Sequence, residues 1–95
     1  MFVVSLSYIV PLDQVEPAMD EHMAFLERCY ADGTFLASGR KVPRTGGVIL
    51  ARAESREALE TILAEDPFWH LKLAAFEVTE VVVSRTVPGL EGLKG

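Results

Sequence analysis

A histidine and an aspartate, His22 and Asp66, stand where two helix faces should be apolar. The first face runs through Val15, Met19, Met23, Leu26 and Tyr30, with His22 three residues after Met19 and four before Leu26. The second runs through Leu59, Ile62 and Leu63, and Asp66 takes the next place along it. Residues three and four apart share a helix face, so one titratable group points inward from each helix. An imidazole titrates close enough to neutrality to move protons both ways. A carboxylate behind it would orient the ring and stabilise the imidazolium, as the third member of a catalytic triad does. Both residues also have ordinary structural uses. A histidine on an apolar face commonly bonds a backbone carbonyl or sits half exposed at a rim. Aspartate before proline is an N-cap/N1 pair, so Asp66 could cap a short turn of Pro67-Phe68-Trp69-His70. A carboxylate has two oxygens, and both uses can hold at once.

Other polar groups offer less. The loop Gly39-Arg40-Lys41-Val42-Pro43-Arg44-Thr45-Gly46-Gly47 gathers three of the nine basic residues beside glycines. It is either a solvated loop or a place to hold a substrate carboxylate. Ser5, Ser7 and Ser38 lie on predicted strands, and each could donate into a pocket; Ser38, Gly39 and Arg44 are the candidate substrate contacts. No GxSxG elbow is present. His22 and His70 are far apart, Cys29 is alone, and no HxxxH or CxxC spacing occurs, so no metal site is expected. No phosphate-cradling glycine motif precedes a helix, so no nucleotide cofactor is expected. Phe68, Trp69 and Phe76 read as core and pocket wall.

Composition bounds the class. Ninety-five residues, 49% hydrophobic and 24% charged, make one globular domain with a modest core. Fourteen acidic against nine basic residues leave a net charge of -5. That balance argues against nucleic acid, whose binding rests on neutralising phosphates, and against an anionic membrane surface. The apolar stretch Phe2–Val10 is broken by Ser5 and Ser7, is too short to span a bilayer, and lacks the basic flank of a signal peptide. The single cysteine excludes an internal disulfide and fits a reducing compartment, so a cytoplasmic location is expected.

The elements that must position His22 and Asp66 follow from periodicity and punctuation. Phe2–Val10 reads as a strand with Phe2, Val4, Leu6 and Tyr8 on one face, ended by Pro11. Asp13 offers an N-cap for a helix that tolerates Pro17 only within its first turn or as a restart, and that stops at Gly33. Thr34–Ser38 and Val48–Ala53 read as strands, Ser55 caps a second helix, and Asp66-Pro67 closes it. Phe76–Arg85 is the fourth strand, and residues 86–95 form a tail that is mobile or exchanged between subunits. The order β-α-β-β-α-β predicts a ferredoxin-like α+β fold: a four-stranded antiparallel sheet with both helices on one face. The last strand carries Phe76, Val78 and Val82 on one face and Val81 and Val83 on the other. An apolar outer face of that kind predicts a homodimer joined sheet to sheet.

The helix histidine followed by Phe25-Leu26, the run Gly33-Thr34-Phe35-Leu36-Ala37-Ser38-Gly39, Gly46-Gly47 opening a strand, and Asp66-Pro67-Phe68 resemble the YciI-like (YCII-related) domain family. The resemblance runs from Phe2 to about Val83, so residues 1–85 are expected to be the domain and 86–95 its tail. It implies a dimeric α/β barrel, related in architecture to muconolactone isomerases and small monooxygenases, and a site built on His22 and Asp66. Ser38-Gly39 matches the family's Ser-Gly; the proline that often follows is Arg40 here. The glycine that often follows Asp-Pro-Phe is also missing, the chain reading Leu71-Lys72-Leu73. Some members are similar to dehydrochlorinases of chlorinated hydroxyquinones, which implies elimination or isomerisation without a cofactor. The expectation is therefore a small lyase or isomerase acting on a cyclic or aromatic metabolite. The competing expectations are a non-enzymatic ligand-binding or accessory module and, on architecture alone, a haem or oxygen-using monooxygenase.

Overall fold

Alternation builds the sheet. In a computed structural model that describes residues 1–94, strand β1 (Phe2–Tyr8) buries Phe2, Val4 and Leu6 and turns Val3, Ser5 and Ser7 to the other side. Strands β2 (Phe35–Arg40), β3 (Gly46–Ala51) and β4 (Ala74–Glu80) complete an antiparallel sheet of order β2-β3-β1-β4. The molecule is thus an α+β, ferredoxin-like fold. β1 lies at the centre, with Val4 opposite Ile49 on one side and Val78 on the other. Gly46 cannot be replaced there, because a Cβ would stand 1.8 Å from the Leu6 carbonyl oxygen.

The first helical stretch is three pieces. Helix α1 (Leu12–Val15) leads through a 3₁₀ turn, Glu16–Ala18, into helix α2 (Met19–Ala31). Pro17 sits in the first turn of that 3₁₀ segment, where its missing N–H is not needed. The cap differs from the expected one. Pro11 holds the N-cap position, and Asp13 lies inside the first turn. Gly33, at φ +84°, ends α2 as the spacing predicts. The apolar stripe is also turned from the expected one: Val15, Ala18, His22, Phe25, Leu26 and Cys29 are buried, while Met23 and Tyr30 are exposed on its flank. His22 therefore stands at the middle of the stripe.

Helix α3 (Arg56–Leu63) is capped by Ser55, whose Oγ accepts the Ala58 N–H at 3.1 Å, and buries Leu59 and Leu63 completely. A turn through Ala64 and Glu65 then leads to the short helix α4 (Pro67–His70). Lys72 follows at φ +57°, the left-handed turn that a glycine would take without strain. That turn starts β4 two residues earlier than expected. The strand also ends at Glu80 rather than Arg85. Met1 and Val81 exchange the last backbone hydrogen bonds, at 3.1 and 2.8 Å, and Val82 and Val83 run past the end of β1 with no rung to join. The outer face of β4 consequently carries Ala75, Glu77 and Thr79 in place of the expected valines. Residues 81–90 have no regular structure, and Glu91–Leu93 form a 3₁₀ turn. No helix among the described residues is long and apolar enough to cross a membrane.

Candidate functional site

Asp-Pro-Phe does three things at one place. Pro67 cannot extend α3, so the chain turns, and Asp66 takes extended backbone (φ −71°, ψ 130°) as N-cap of α4. Its Oδ1 accepts the Phe68 N–H at 2.9 Å and, on the same atom, meets His22 Nδ1 at 2.8 Å. Phe68 then lies flat against the imidazole, ring centroids 3.9 Å apart and planes within 5°. The His22 ring is thus held by a carboxylate at its edge and a phenyl on its face. The two residues are 44 positions apart in the chain, and both are buried, Asp66 completely. The structural and chemical uses of Asp66 coincide: it caps a helix and binds the histidine. Its second oxygen, Oδ2, is buried with no partner among the described residues.

With Oδ1 as acceptor, the Nδ1 position carries the hydrogen and Nε2 is the nitrogen left over for chemistry. His22 lines a cleft of about 490 Å³ between the helix-covered face of the sheet and α2. Leu6, Leu26, Ile49 and Phe68 form its apolar walls; Tyr8, set edge-on to Phe68 at 6.0 Å, lines it too. Asp66 does not reach the cleft and stands behind the histidine.

The other residues singled out from the sequence separate. Ser38, Gly39 and Arg44 all line the cleft. Ser38 lies opposite Ile49 on the helix-covered face, and its Oγ is 2.6 Å from the Tyr30 hydroxyl. Ser5 and Ser7 do not contribute: they lie on the outer face, because their strand positions are odd where the buried ones are even. Ser7 instead accepts a hydrogen bond from Lys41 Nζ at 3.0 Å. Arg44 reaches back to Glu16 at 3.2 Å. His70 is exposed, 3.8 Å from Glu21. Among the described residues no group of three His, Cys, Asp or Glu side chains could hold a metal ion.

Arg40 lines the cleft although the sequence offered it only within the basic loop, and Tyr30, which does not line the cleft, meets Ser38 from beside it. Tyr30 counts as a core position on the α2 stripe, and only the rotation of that stripe brings its hydroxyl to Ser38. Arg40 is the last residue of β2, in register with Gly47 and through it with Leu6. That row shares the helix-covered face, so Arg40 lines the cleft rather than the solvated loop. Cys29 is buried with its thiol pushed up to about 11, first by burial and then by the Asp32 carboxylate, so it is no nucleophile at neutral pH.

Curated protein sequences show no match to the chain. Among solved structures it is similar to 5-chloro-2-hydroxyhydroquinone dehydrochlorinase (TftG) from Burkholderia phenoliruptrix AC1100, in complex with 2,5-dihydroxybenzoquinone. The TM-score is 0.71 at 22% identity, over 85% of this chain and 93% of that one. At that identity the likeness speaks for the fold. The model of the YCII-related domain matches residues 1–85, which is most of the chain. With that match, the chain belongs to the YCII-related domain family.

Proposed function

We propose that the cleft is the active site of a small cofactor-independent enzyme of lyase or isomerase type, acting on a cyclic or aromatic metabolite. His22 is its general acid/base and Asp66 the residue that positions it. The observation that carries this reading is the 2.8 Å contact between His22 Nδ1 and Asp66 Oδ1, which leaves Nε2 as the free nitrogen of a cleft-lining ring. Nε2 takes a proton from a hydroxyl or a carbon beside a carbonyl. The electron pair released forms a new double bond, and either a leaving group such as chloride departs or the proton returns at another carbon. Asp66 stabilises the imidazolium formed on the way, and Phe68 keeps the ring in plane. Ser38, Gly39 and Arg44 are the substrate contacts. The dehydrochlorinase that shares this fold supports the choice of an elimination.

The test is chloride release from 5-chloro-2-hydroxyhydroquinone by the wild-type chain and by His22→Gln, with circular dichroism as the folding control. A positioned base contributes about 10²–10⁴ in rate, so the variant should fold and lose at least about two orders of magnitude. Full turnover by the folded variant refutes the assignment. Binding that survives the substitution, with the ligand chemically unchanged by either protein, shows a binding module instead. The assembly belongs to the same proposal: the outer sheet face, with Val3, Val48 and Leu50 half-buried, seats a second copy of the chain.

A further inference from the structure

The chain has fourteen acidic residues against nine basic ones, yet no aspartate or glutamate lines the cleft. Two arginines do, Arg40 and Arg44, along the wall contributed by β2 and the loop that follows it. Their situations differ. Arg44 pairs with Glu16 at 3.2 Å, whereas Arg40 meets no carboxylate among the described residues. Arg40 and Leu6 lie in one row on the helix-covered face, and the residue between them is Gly47. The position between Arg40 and Leu6 in that row therefore carries no side chain. A guanidinium stays charged at all working pH values and presents paired donors that fit two neighbouring oxygens. An acidic protein that keeps carboxylates out of this cleft, and sets in its lining an arginine with no carboxylate partner among the described residues, presents local positive charge to the ligand.

We infer that the cleft selects anionic ring compounds, those with a carboxylate or an ionised hydroxyl beside a ring carbonyl, and that Arg40 is the residue that recognises the charge. The inference rests on the proposed active site and names the substrate class for it. The ring stacks against the apolar walls, its oxygen pair faces Arg40, and the opposite edge is left to His22. Arg40 acts in binding, and takes no part in proton transfer.

The test measures binding without turnover, using 2,5-dihydroxy-1,4-benzoquinone, which ionises, and its 2,5-dimethoxy ether, which does not. The wild-type chain should bind the anion at least about tenfold more tightly than the ether, as a charge-assisted contact implies, and rising salt should weaken the anion alone. Arg40→Gln, a substitution at an exposed position, should remove that preference and its salt dependence while leaving affinity for the ether unchanged. Arg40→Lys should restore part of both. The inference is overturned if the wild-type chain binds neither compound, if it binds the ether as tightly as the anion, or if Arg40→Gln weakens both alike. His22→Gln should keep the anion preference, so loss of turnover with selectivity intact tests the acid/base assignment separately.

Discussion

Asp66→Asn separates the two uses of this carboxylate. In the wild type Oδ1 serves two donors, His22 Nδ1 at 2.8 Å and Phe68 N at 2.9 Å, inside a fully buried site. Asparagine is as good an N-cap as aspartate, so α4 should persist. Its NH₂ falls either at the Oδ2 position, which has no partner among the described residues, or against His22. A buried donor without an acceptor costs about 1–3 kcal/mol, and each kcal/mol lowers Tm by roughly 4–8 °C in a domain of this size. The imidazolium loses a charged hydrogen-bond partner worth about 1.5–3 kcal/mol. At about 1.4 kcal/mol per factor of ten, kcat should fall roughly 10- to 150-fold. KM should hardly move, because Asp66 does not line the cleft. Steady-state chloride release from 5-chloro-2-hydroxyhydroquinone gives the split. Long-range ¹H–¹⁵N spectra of the imidazole report whether Nδ1 still carries its hydrogen. A variant whose kcat stays within about twofold of wild type, below even the smallest loss worked out here, refutes the reasoning.

Three further outcomes follow from other parts of the molecule. Cys29 should resist a disulfide reagent at pH 8 in the folded chain and react at once on unfolding; a native burst of labelling contradicts its burial. Its thiol titrates at about 11 when folded against an ordinary 9.0, chiefly through burial and the Asp32 carboxylate. Above pH 9 the unfolded chain loses a proton that the folded chain keeps, so stability should fall as pH rises from about 9 to about 11, and less steeply in Cys29→Ala. Sedimentation equilibrium should give twice the chain mass, and Leu50→Glu on the outer face should give one; a wild-type monomer at every concentration removes the assembly from the proposal.

Local rules made much of this protein legible. Alternation in Phe2–Tyr8, the Ser55 cap and the Gly33 stop report backbone preferences that each segment holds by itself. The same is true of Asp66-Pro67, where the missing N–H of proline and the capping carboxylate act within a few residues. Inward placement of His22 was readable as well, since a helix face follows from spacing alone; Asp66 is not on the face that spacing gave it, because it lies past the end of α3 in extended backbone and is held inward as the cap of α4. The phase of the α2 stripe was not readable, because Pro17 sets a 3₁₀ turn whose rotation no apolar count contains.

What lies opposite a given face is a long-range matter, and the tertiary structure alone decided it. Closing the sheet in the order β2-β3-β1-β4 brings His22 and Asp66, 44 residues apart, to 2.8 Å and slides Phe68 under the imidazole. It also decides that Val82 and Val83, good strand formers, stay out of the sheet, since a strand exists only where another backbone offers hydrogen bonds. Arg40 shows the same physics at the site. In sequence it is the first charge of a basic loop, and only register with Gly47 and Leu6 turns it into the wall of an apolar cleft.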